Sequence, residues 1–171
     1  MTEAVNKTVT FSLDGQAVEA MDGETIWQVA QRLGTEIPHL CYAPKPGYRP
    51  DGNCRACMVE IEGERVLAAS CIRKPTAEMK VKTASDRAKA SRKMVFELLL
   101  ADQPDRNVAH DPDSKFWNWA DRLDIADSRF PDREMPSSDR SHPAMAVNLD
   151  ACINCNLCVR ACREVQVNDV I

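Results

Sequence analysis

The stretch TVTFSLDGQAVEAMDGETIWQVAQRLG, residues 8–34, decides the fold of the first half of the chain. Apolar and polar residues alternate before Asp14-Gly15, a pair that favours the tight turn of a β-hairpin and leads the chain into a second strand. Farther on, Thr25 and Gln28 have the spacing of a helix capping box, and apolar residues then recur at helical spacing until a closing glycine. The stretch therefore predicts two strands and a short amphipathic helix. The predicted strands are Thr8–Leu13 and Gln16–Ala20.

Further strands are predicted beyond this helix, after a segment rich in proline and glycine. These strands are Cys57–Ile61, Arg65–Ala69 and Met79–Thr83. A hairpin, a helix that crosses it and strands that return to the same sheet form the order of a β-grasp domain. We therefore expect an α+β fold, with a ferredoxin-like β-grasp domain at residues 1–84.

The middle of the chain predicts linker helices rather than a second sheet. One helix is expected to begin after Ser85 and to end near Leu100, and a second helix is expected at residues 114–123, where three aromatic residues indicate a small hydrophobic anchor. The first helix is expected to bury Ala88, Val95, Leu98 and Leu99, and to expose Arg87, Lys89, Arg92 and Lys93. Residues 85–146 are therefore interpreted as a helical linker region.

Four of the eight cysteines lie in the predicted β-grasp domain. They are Cys41, Cys54, Cys57 and Cys71, with the spacing C-x12-C-x2-C-x13-C. A [2Fe–2S] cluster binds a pair of thiolates at each iron and accepts long loops between ligands, whereas a structural zinc site usually joins two close cysteine pairs. The spacing favours a [2Fe–2S] cluster, and a zinc site stays open as an alternative.

A second cysteine group lies near the end of the chain. Cys152, Cys155, Cys158 and Cys162 have the spacing C-x2-C-x2-C-x3-C, which is typical of bacterial ferredoxins that bind [4Fe–4S] clusters. In two-cluster ferredoxins the last cysteine of such a run binds the other cluster, so Cys162 is expected to serve a second cluster. No second run follows, and we expect residues 147–171 to be the truncated first half of a ferredoxin-like [4Fe–4S] unit.

Composition argues against several other classes of function. A net charge of −4, without a basic stripe among aromatic residues, argues against a nucleic-acid partner. No apolar run is long enough to span a bilayer, and the first residues lack the apolar core of a secretory signal. Cysteines of a cytoplasmic protein are more often metal ligands than disulfide partners. We expect a cytoplasmic protein that binds metal but neither nucleic acid nor membranes.

Both cysteine-rich segments resemble those of a family of oxidoreductase subunits. Tyr48–Glu60, with Cys41 before it and Cys71 after it, resembles the amino-terminal [2Fe–2S] domain that three kinds of subunit share. These are the large iron–sulfur subunit of respiratory complex I, the diaphorase small subunit of NAD-linked hydrogenases and the alpha subunit of NAD-dependent formate dehydrogenases. Ile37–Cys41 and Asn148–Ile171 most resemble the formate dehydrogenase alpha subunit.

The resemblance implies that the chain is an electron-relay segment of an NAD-dependent formate dehydrogenase. Formate would be oxidised at a molybdenum or tungsten pterin centre in the remainder of the alpha subunit, outside this chain. Electrons would then pass through [4Fe–4S] clusters and the [2Fe–2S] cluster toward flavin and NAD on partner diaphorase subunits. The segment itself is expected to carry no catalytic residue.

One departure distinguishes the chain from complex I relatives, which carry a His-and-three-Cys cluster, H-x3-C-x2-C-x5-C, after the first linker helix. The corresponding positions here are Gln103, Asn107, His110 and Phe116. The loss favours a formate dehydrogenase, and His110 is expected to be a surface residue. A diaphorase subunit of the hydrogenase or complex I type is the alternative, and a non-redox zinc-binding interaction module is a second alternative.

Residues near the first cysteine group are expected to stabilise a reduced, more negative cluster. The candidates are the backbone amides of Gly52–Ala56 and the side chains of Arg49, Arg55, Arg73 and Lys74. Solvated surface is an equal interpretation of these four side chains. His39 is expected to support the cluster ligands without binding iron or to have a structural role, because a Rieske-type centre needs two histidine ligands in place of two cysteines.

Overall fold

A computed structural model describes residues 8–168 of the chain. The outer ends of the first and last predicted domains, residues 1–7 and 169–171, lie outside the described residues. Packing divides the chain into two compact units. The first unit comprises the residues up to Arg92 together with those from Leu157 onward, and the second unit is Lys93–Asn156. The predicted domains 1–84, 85–146 and 147–171 divide the chain by cysteine group, and they stay predictions.

A mixed five-stranded sheet forms the centre of the first unit. Its strands are β1 (Val9–Leu13), β2 (Gln16–Ala20), β3 (Met58–Ile61), β4 (Ala68–Ala69) and β5 (Lys80–Lys82), in the order β2-β1-β5-β3-β4. Strands β1 and β5 are parallel, and the other neighbouring pairs are antiparallel. This mixed sheet, together with its helices, confirms the predicted α+β class.

The predicted hairpin and its helix are both present. Asp14 and Gly15 adopt φ angles of 50° and 87°, which fit a two-residue hairpin turn. Helix α1 (Ile26–Arg32) begins at a complete capping box, in which the Gln28 amide donates to Thr25 Oγ1 at 3.3 Å and the Thr25 amide donates to Gln28 Oε1 at 2.9 Å. Local sequence signals were sufficient here because each contact joins residues close in the chain.

The hydrophobic core of the first unit contains residues from the sheet and from α1. Phe11, Ile26, Val29, Val59 and Val81 are each no more than 2% exposed. The same cluster of buried residues includes two cysteines of the first group, Cys57 and Cys71. The cysteine group is thus partly built into the core of the domain.

Helix α2 (Asp86–Ala101) follows Ser85, whose hydroxyl accepts a hydrogen bond from the Ala88 amide at 3.2 Å. The predicted faces of this helix are wrong at two positions. Leu98 is 48% exposed, and Arg92 is only 6% exposed. Arg92 Nη2 donates to the carbonyl oxygens of Met58 at 2.7 Å and Thr83 at 2.5 Å. A guanidinium group carries five hydrogen-bond donors, so it can be buried where backbone carbonyls accept from it. Helical periodicity does not reveal such carbonyls, because they belong to other parts of the chain.

An aromatic cluster stabilises the second unit. Helix α3 (Lys115–Arg122) buries Phe116 and Trp117. Phe116 stacks on Phe96 with ring centroids 5.7 Å apart, and Trp117 meets the Phe116 ring edge-on at 5.1 Å. These contacts bear out the hydrophobic anchor predicted for this helix.

The second unit also contains a hairpin that the sequence did not predict. Its strands are β6 (Asp139–His142) and β7 (Met145–Val147), and every residue in them is exposed. A hairpin without a buried face has no reason to alternate apolar and polar residues, so the usual signal of strands is missing. Within residues 8–168, no helix has the length and apolar character needed to cross a bilayer.

Candidate metal centre

The four cysteines of the first group lie in two mutually bonded pairs. The Cys54 amide donates to Cys41 Sγ at 3.3 Å, and the Cys41 amide donates to Cys54 Sγ at 3.5 Å. The thiol of Cys71 is hydrogen-bonded to the sulfur of Cys57. Three of these residues are 1% exposed, and Cys54 is half-buried. The sequence placed these ligands in one domain, and the tertiary structure adds the pairing.

The paired arrangement suits a cluster of two irons. Among the described residues, no three His, Cys, Asp or Glu side chains converge closely enough to hold one metal ion. A [2Fe–2S] cluster needs a pair of thiolates at each of two irons. Cys41 with Cys54, and Cys57 with Cys71, provide such a donor set. The residues present therefore fit a [2Fe–2S] cluster.

The sulfur atoms of each pair differ in acidity. The hydrogen bond from the Cys41 thiol lowers the pKa of Cys54, and backbone amides lower it further, while burial opposes both. In the same way, the hydrogen bond from the Cys71 thiol lowers the pKa of Cys57. Holding these bonds raises the pKa of the two donors, Cys41 and Cys71. Each pair thus contains one sulfur that readily forms the thiolate, the form that binds metal.

The turn between the pairs directs backbone amides at the sulfurs, as the sequence led us to expect. Gly52 and Arg55 have positive φ angles of 64° and 59°, which turn consecutive amides inward. The amides of Gly52, Asn53 and Ala56 donate to the sulfurs of Cys71, Cys41 and Cys54, respectively. Such donors stabilise the negative charge of sulfur and of a reduced cluster.

Gly52 lies at a point in this turn where an added side chain would be crowded. A Cβ atom there would lie 2.9 Å from Ile72 Cδ1 and 3.4 Å from the Cβ of Ala69. The positive φ angle adds strain for any residue other than glycine. Gly52 therefore allows close approach between the turn and the segment that carries Cys71.

The segment that carries Cys71 is held by the first turn of α1. The Trp27 amide donates to the Ser70 carbonyl at 3.0 Å, and the Ile26 amide donates to the Arg73 carbonyl at 2.9 Å. The Ser70 hydroxyl donates to the Cys57 carbonyl at 2.7 Å. These bonds use helix amides that have no partner within the helix, and they fix one cysteine pair against the core.

The predicted cations near this group are mostly neutralised or solvated. Arg49 forms ion pairs with Asp51 at 2.6 Å and Glu164 at 3.0 Å, and Arg73 pairs with Glu64. Arg55 and Lys74 are exposed. A buried cation that contacts this group is instead Arg160, which donates to the Cys41 carbonyl at 2.9 Å. Sequence analysis missed Arg160 because it lies within the second cysteine run, far along the chain from its partners.

His39 packs as a structural residue. Its ring lies edge-on to Trp27, with centroids 4.5 Å apart, and its Nδ1 is 3.3 Å from the Ile37 carbonyl oxygen. The Trp27 indole donates to that same carbonyl at 3.1 Å. These contacts support the structural role expected from the sequence.

The second cysteine group is divided between the two compact units. Cys152 and Cys155 belong to the second unit, and Cys158 and Cys162 belong to the first. Cys152 is exposed, and its sulfur accepts a hydrogen bond from the Asn154 amide at 3.5 Å. Cys158 is exposed on a short helix (α4, Leu157–Arg160), and Cys162 follows on its π-helical continuation, Ala161–Val165. The [4Fe–4S] assignment of this group stays a prediction.

The four positions that replace a His-and-three-Cys cluster have different surroundings. Gln103 is buried, Asn107 and His110 are exposed, and Phe116 lies in the aromatic cluster of the second unit. The exposure of His110 agrees with the expectation of a surface residue. At the last of these positions, Phe116 makes aromatic packing contacts instead of binding metal.

The fold and the paired cysteines define a ferredoxin-type iron–sulfur domain. Residues 6–86 match the family model described as a 2Fe-2S iron-sulfur cluster binding domain, a range that includes all four cysteines of the first group. This part of the chain is therefore similar to [2Fe–2S] cluster-binding domains, and its paired cysteines fit such a cluster.

Relatives of the chain are subunits of larger oxidoreductases. It is 34% identical to the NADP-reducing hydrogenase subunit HndD of Solidesulfovibrio fructosivorans, over 95% of this chain and 29% of the relative. It is 33% identical to a subunit of an NADH-quinone oxidoreductase of Rhizobium meliloti (strain 1021), over 92% of this chain and 19% of the relative. The chain thus spans less than a third of the length of these curated relatives.

A solved structure with a similar fold comes from a hydrogenase, as does one of the relatives above. The crystal structure of NAD+-reducing [NiFe]-hydrogenase in the H2-reduced state contains a chain with a TM-score of 0.77 and 28% identity to this one. The match covers 94% of this chain and 68% of that chain. The similarity therefore extends past the [2Fe–2S] domain into the second half of the chain.

Proposed function

We propose that this chain is an electron-relay segment of a multi-subunit oxidoreductase complex that exchanges electrons with NAD or NADP. The observation that carries the proposal is the buried set of two cysteine pairs with backbone amides directed at the sulfurs. A [2Fe–2S] cluster held there would accept and release electrons without any proton transfer by the protein. The surrounding amides would stabilise its reduced form.

The names of the relatives support a place within a larger complex. The relatives described above are subunits of a hydrogenase and of an NADH-quinone oxidoreductase, and the chain spans only a part of each. Substrate conversion would then belong to other parts of the complex. Partner subunits that bind flavin and NAD would exchange electrons with this segment.

The finer proposal is a cytoplasmic NAD-dependent formate dehydrogenase. It rests on the resemblance of the cysteine-rich segments and on the replacement of the His-and-three-Cys ligands by Gln103, Asn107, His110 and Phe116. Electrons from formate would leave a molybdenum or tungsten pterin centre outside this chain and reach the [2Fe–2S] centre through [4Fe–4S] clusters. Cys152, Cys155, Cys158 and Cys162 would provide ligands to those clusters.

A diaphorase-type subunit is the alternative, and the hydrogenase and NADH-quinone oxidoreductase names of the relatives favour it. The two candidates differ in the substrate that supplies the electrons. Both need the same [2Fe–2S] domain, so the domain alone does not separate them.

The test is to isolate the intact complex anaerobically through a tag on this chain and to record low-temperature electron paramagnetic resonance spectra. Dithionite should produce a [2Fe–2S] signal, and a colourless, zinc-loaded sample without this signal would contradict the relay proposal. Formate, dihydrogen and NADH are then added separately to the oxidised complex. Reduction of the cluster by formate supports the formate dehydrogenase, and reduction by dihydrogen but not by formate supports the hydrogenase alternative.

A further inference from the structure

A buried arginine from the second cysteine run reaches the first cysteine group. Arg160 lies between Cys158 and Cys162 in sequence, yet both it and Cys41 belong to the first compact unit. Its side chain is 6% exposed. Nη2 donates to the Cys41 carbonyl at 2.9 Å, and Nη1 donates to the Arg49 carbonyl. The guanidinium therefore bridges Cys41 and Arg49, at the start and in the middle of the loop between Cys41 and Cys54.

Within residues 8–168, Arg160 forms an ion pair with one carboxylate. Its Nε lies 3.2 Å from Asp51 Oδ2, which is an ion-pair distance although the atoms are not aligned for a hydrogen bond. Asp51 also pairs with Arg49, whose other end contacts Glu164 on the π-helical turn. The result is a charged network that joins residues 49–51 to residues 160–164.

Packing joins the same two segments. A Cβ atom on Gly47 would lie 3.3 Å from Cγ2 of Val165, so the loop and the π-helical turn are in close contact there. Three kinds of contact thus hold residues 160–165 on the loop between Cys41 and Cys54: hydrogen bonds from the Arg160 side chain to backbone carbonyls, ion pairs and apolar contact.

A buried cation affects a neighbouring redox centre in a defined direction. Reduction adds one negative charge to a cluster, and a nearby positive charge that water screens poorly stabilises that added charge. Arg160 is such a charge, and Asp51 opposes it. An exposed arginine such as Arg49, with 65% of its side chain accessible, acts much more weakly because solvent and salt screen it.

We propose that Arg160 is a positioning residue of the [2Fe–2S] centre, which closes the loop behind Cys41 and raises the reduction potential of the cluster. The second cysteine run then helps to set the properties of the first centre, in addition to the [4Fe–4S] role proposed for it. This inference rests on the proposed [2Fe–2S] site.

The test is a redox titration of the full chain and of four variants. The [2Fe–2S] signal is monitored by electron paramagnetic resonance at each potential. Arg160→Met should lower the midpoint potential, with a change of about tenfold in the reduced-to-oxidised ratio at a fixed potential, equivalent to ~59 mV for one electron. Asp51→Asn should shift the midpoint in the opposite direction because it removes the opposing charge. Arg160→Lys, which keeps the charge, should shift it less than Arg160→Met does.

The matched control is Arg49→Met, which removes an equal but exposed charge from the same network. Its shift should be smaller than that of Arg160→Met. If Arg160→Met does not assemble the cluster but Arg160→Lys does, the result supports the positioning role. The effect of charge on the midpoint potential is then tested by Asp51→Asn alone. An unchanged midpoint in an assembled Arg160→Met protein, or no upward shift in Asp51→Asn, overturns the inference. Absence of the signal from the unmodified chain would instead contradict the proposed function itself.

Discussion

The two cysteine groups differ in how much of their surroundings the protein provides without metal. Cys41, Cys57 and Cys71 are 1% exposed, and backbone amides already point at the sulfurs of their group. Cys152 and Cys158 are exposed, and they lie on a loop and a short helix. The first group is held by a sheet and a core, whereas the second lacks a comparable scaffold within residues 8–168. Two groups of four cysteines are thus supported by the protein in two different ways.

The largest expected effect is the loss of one centre alone. Cys57→Ser should abolish the [2Fe–2S] signal, because it removes the buried thiolate of one pair, and should leave any [4Fe–4S] signal intact. Iron analysis and electron paramagnetic resonance of the anaerobically purified protein measure both centres. The reciprocal variant, Cys158→Ser, is the control and should spare the [2Fe–2S] signal. Loss of both signals from Cys57→Ser would show that the two groups do not form independently.

The next effect tests how tightly the first group is enclosed. Gly52→Ala should destabilise the domain by about 2–3 kcal/mol, because alanine is strained at this positive φ angle and its Cβ atom would crowd Ala69 and displace the end of the Ile72 side chain. It should also reduce the [2Fe–2S] content of the purified protein. Gly63→Ala is the matched control, since Gly63 has a φ angle of 84° and a Cβ atom there would meet nothing beyond its chain neighbours within 4 Å. That variant should cost only about 1 kcal/mol and keep the cluster; equal losses in both variants would remove the steric argument.

A smaller effect concerns the scaffold behind the first group. Arg92→Met should lower the free energy of unfolding by about 2 kcal/mol, because it leaves the carbonyls of Met58 and Thr83 without their buried donor. Denaturant titration measures the change. Lys89→Met, on the exposed face of the same helix, should change stability by less than about 0.5 kcal/mol. Equal stabilities of the two variants would mean that the buried hydrogen bonds of Arg92 contribute nothing net.

The smallest effect compares the accessibility of the two groups directly. After iron removal under reducing conditions, Cys152 and Cys158 should react with iodoacetamide on the order of tenfold faster than Cys41 and Cys71, because burial restricts access to the latter. Peptide mass spectrometry over a time course measures each rate. Addition of denaturant should make the rates alike. Equal rates in the folded apo protein would contradict the contrast between the two groups.

Features that depend on neighbours in the chain could be predicted from the sequence. The Asp14-Gly15 turn and the Thr25–Gln28 capping box are examples, because the residues that form them lie within a few positions of each other. The four cysteines of the first group were likewise selected by their spacing, and their role as cluster ligands stays a prediction. Their pairing was not, because it depends on how the loops return to the sheet.

Features that depend on distant partners were missed. Arg92 and Arg160 look like surface residues in the sequence, and both are buried because backbone carbonyls far along the chain accept their hydrogen bonds. The β6–β7 hairpin was missed for the opposite reason, since it buries no side chain that would leave a periodic pattern. The choice between a formate dehydrogenase and a diaphorase-type subunit stays a proposal, because both candidates need the same [2Fe–2S] domain.

Cys57 and Cys71 belong to the hydrophobic core of the first unit, and this has a consequence for the lifetime of a cluster bound there. Release of iron from such a pair requires its buried sulfurs to become accessible, so we expect the rate of cluster loss to depend on opening of the protein as well as on iron–sulfur bond strength. We expect the bleaching of the cluster and the unfolding of the sheet to have the same steep temperature dependence in parallel absorbance and circular dichroism measurements. In this domain the durability of an inorganic group would then be determined by side chains such as Val59 and Val81, which never touch iron as ligands.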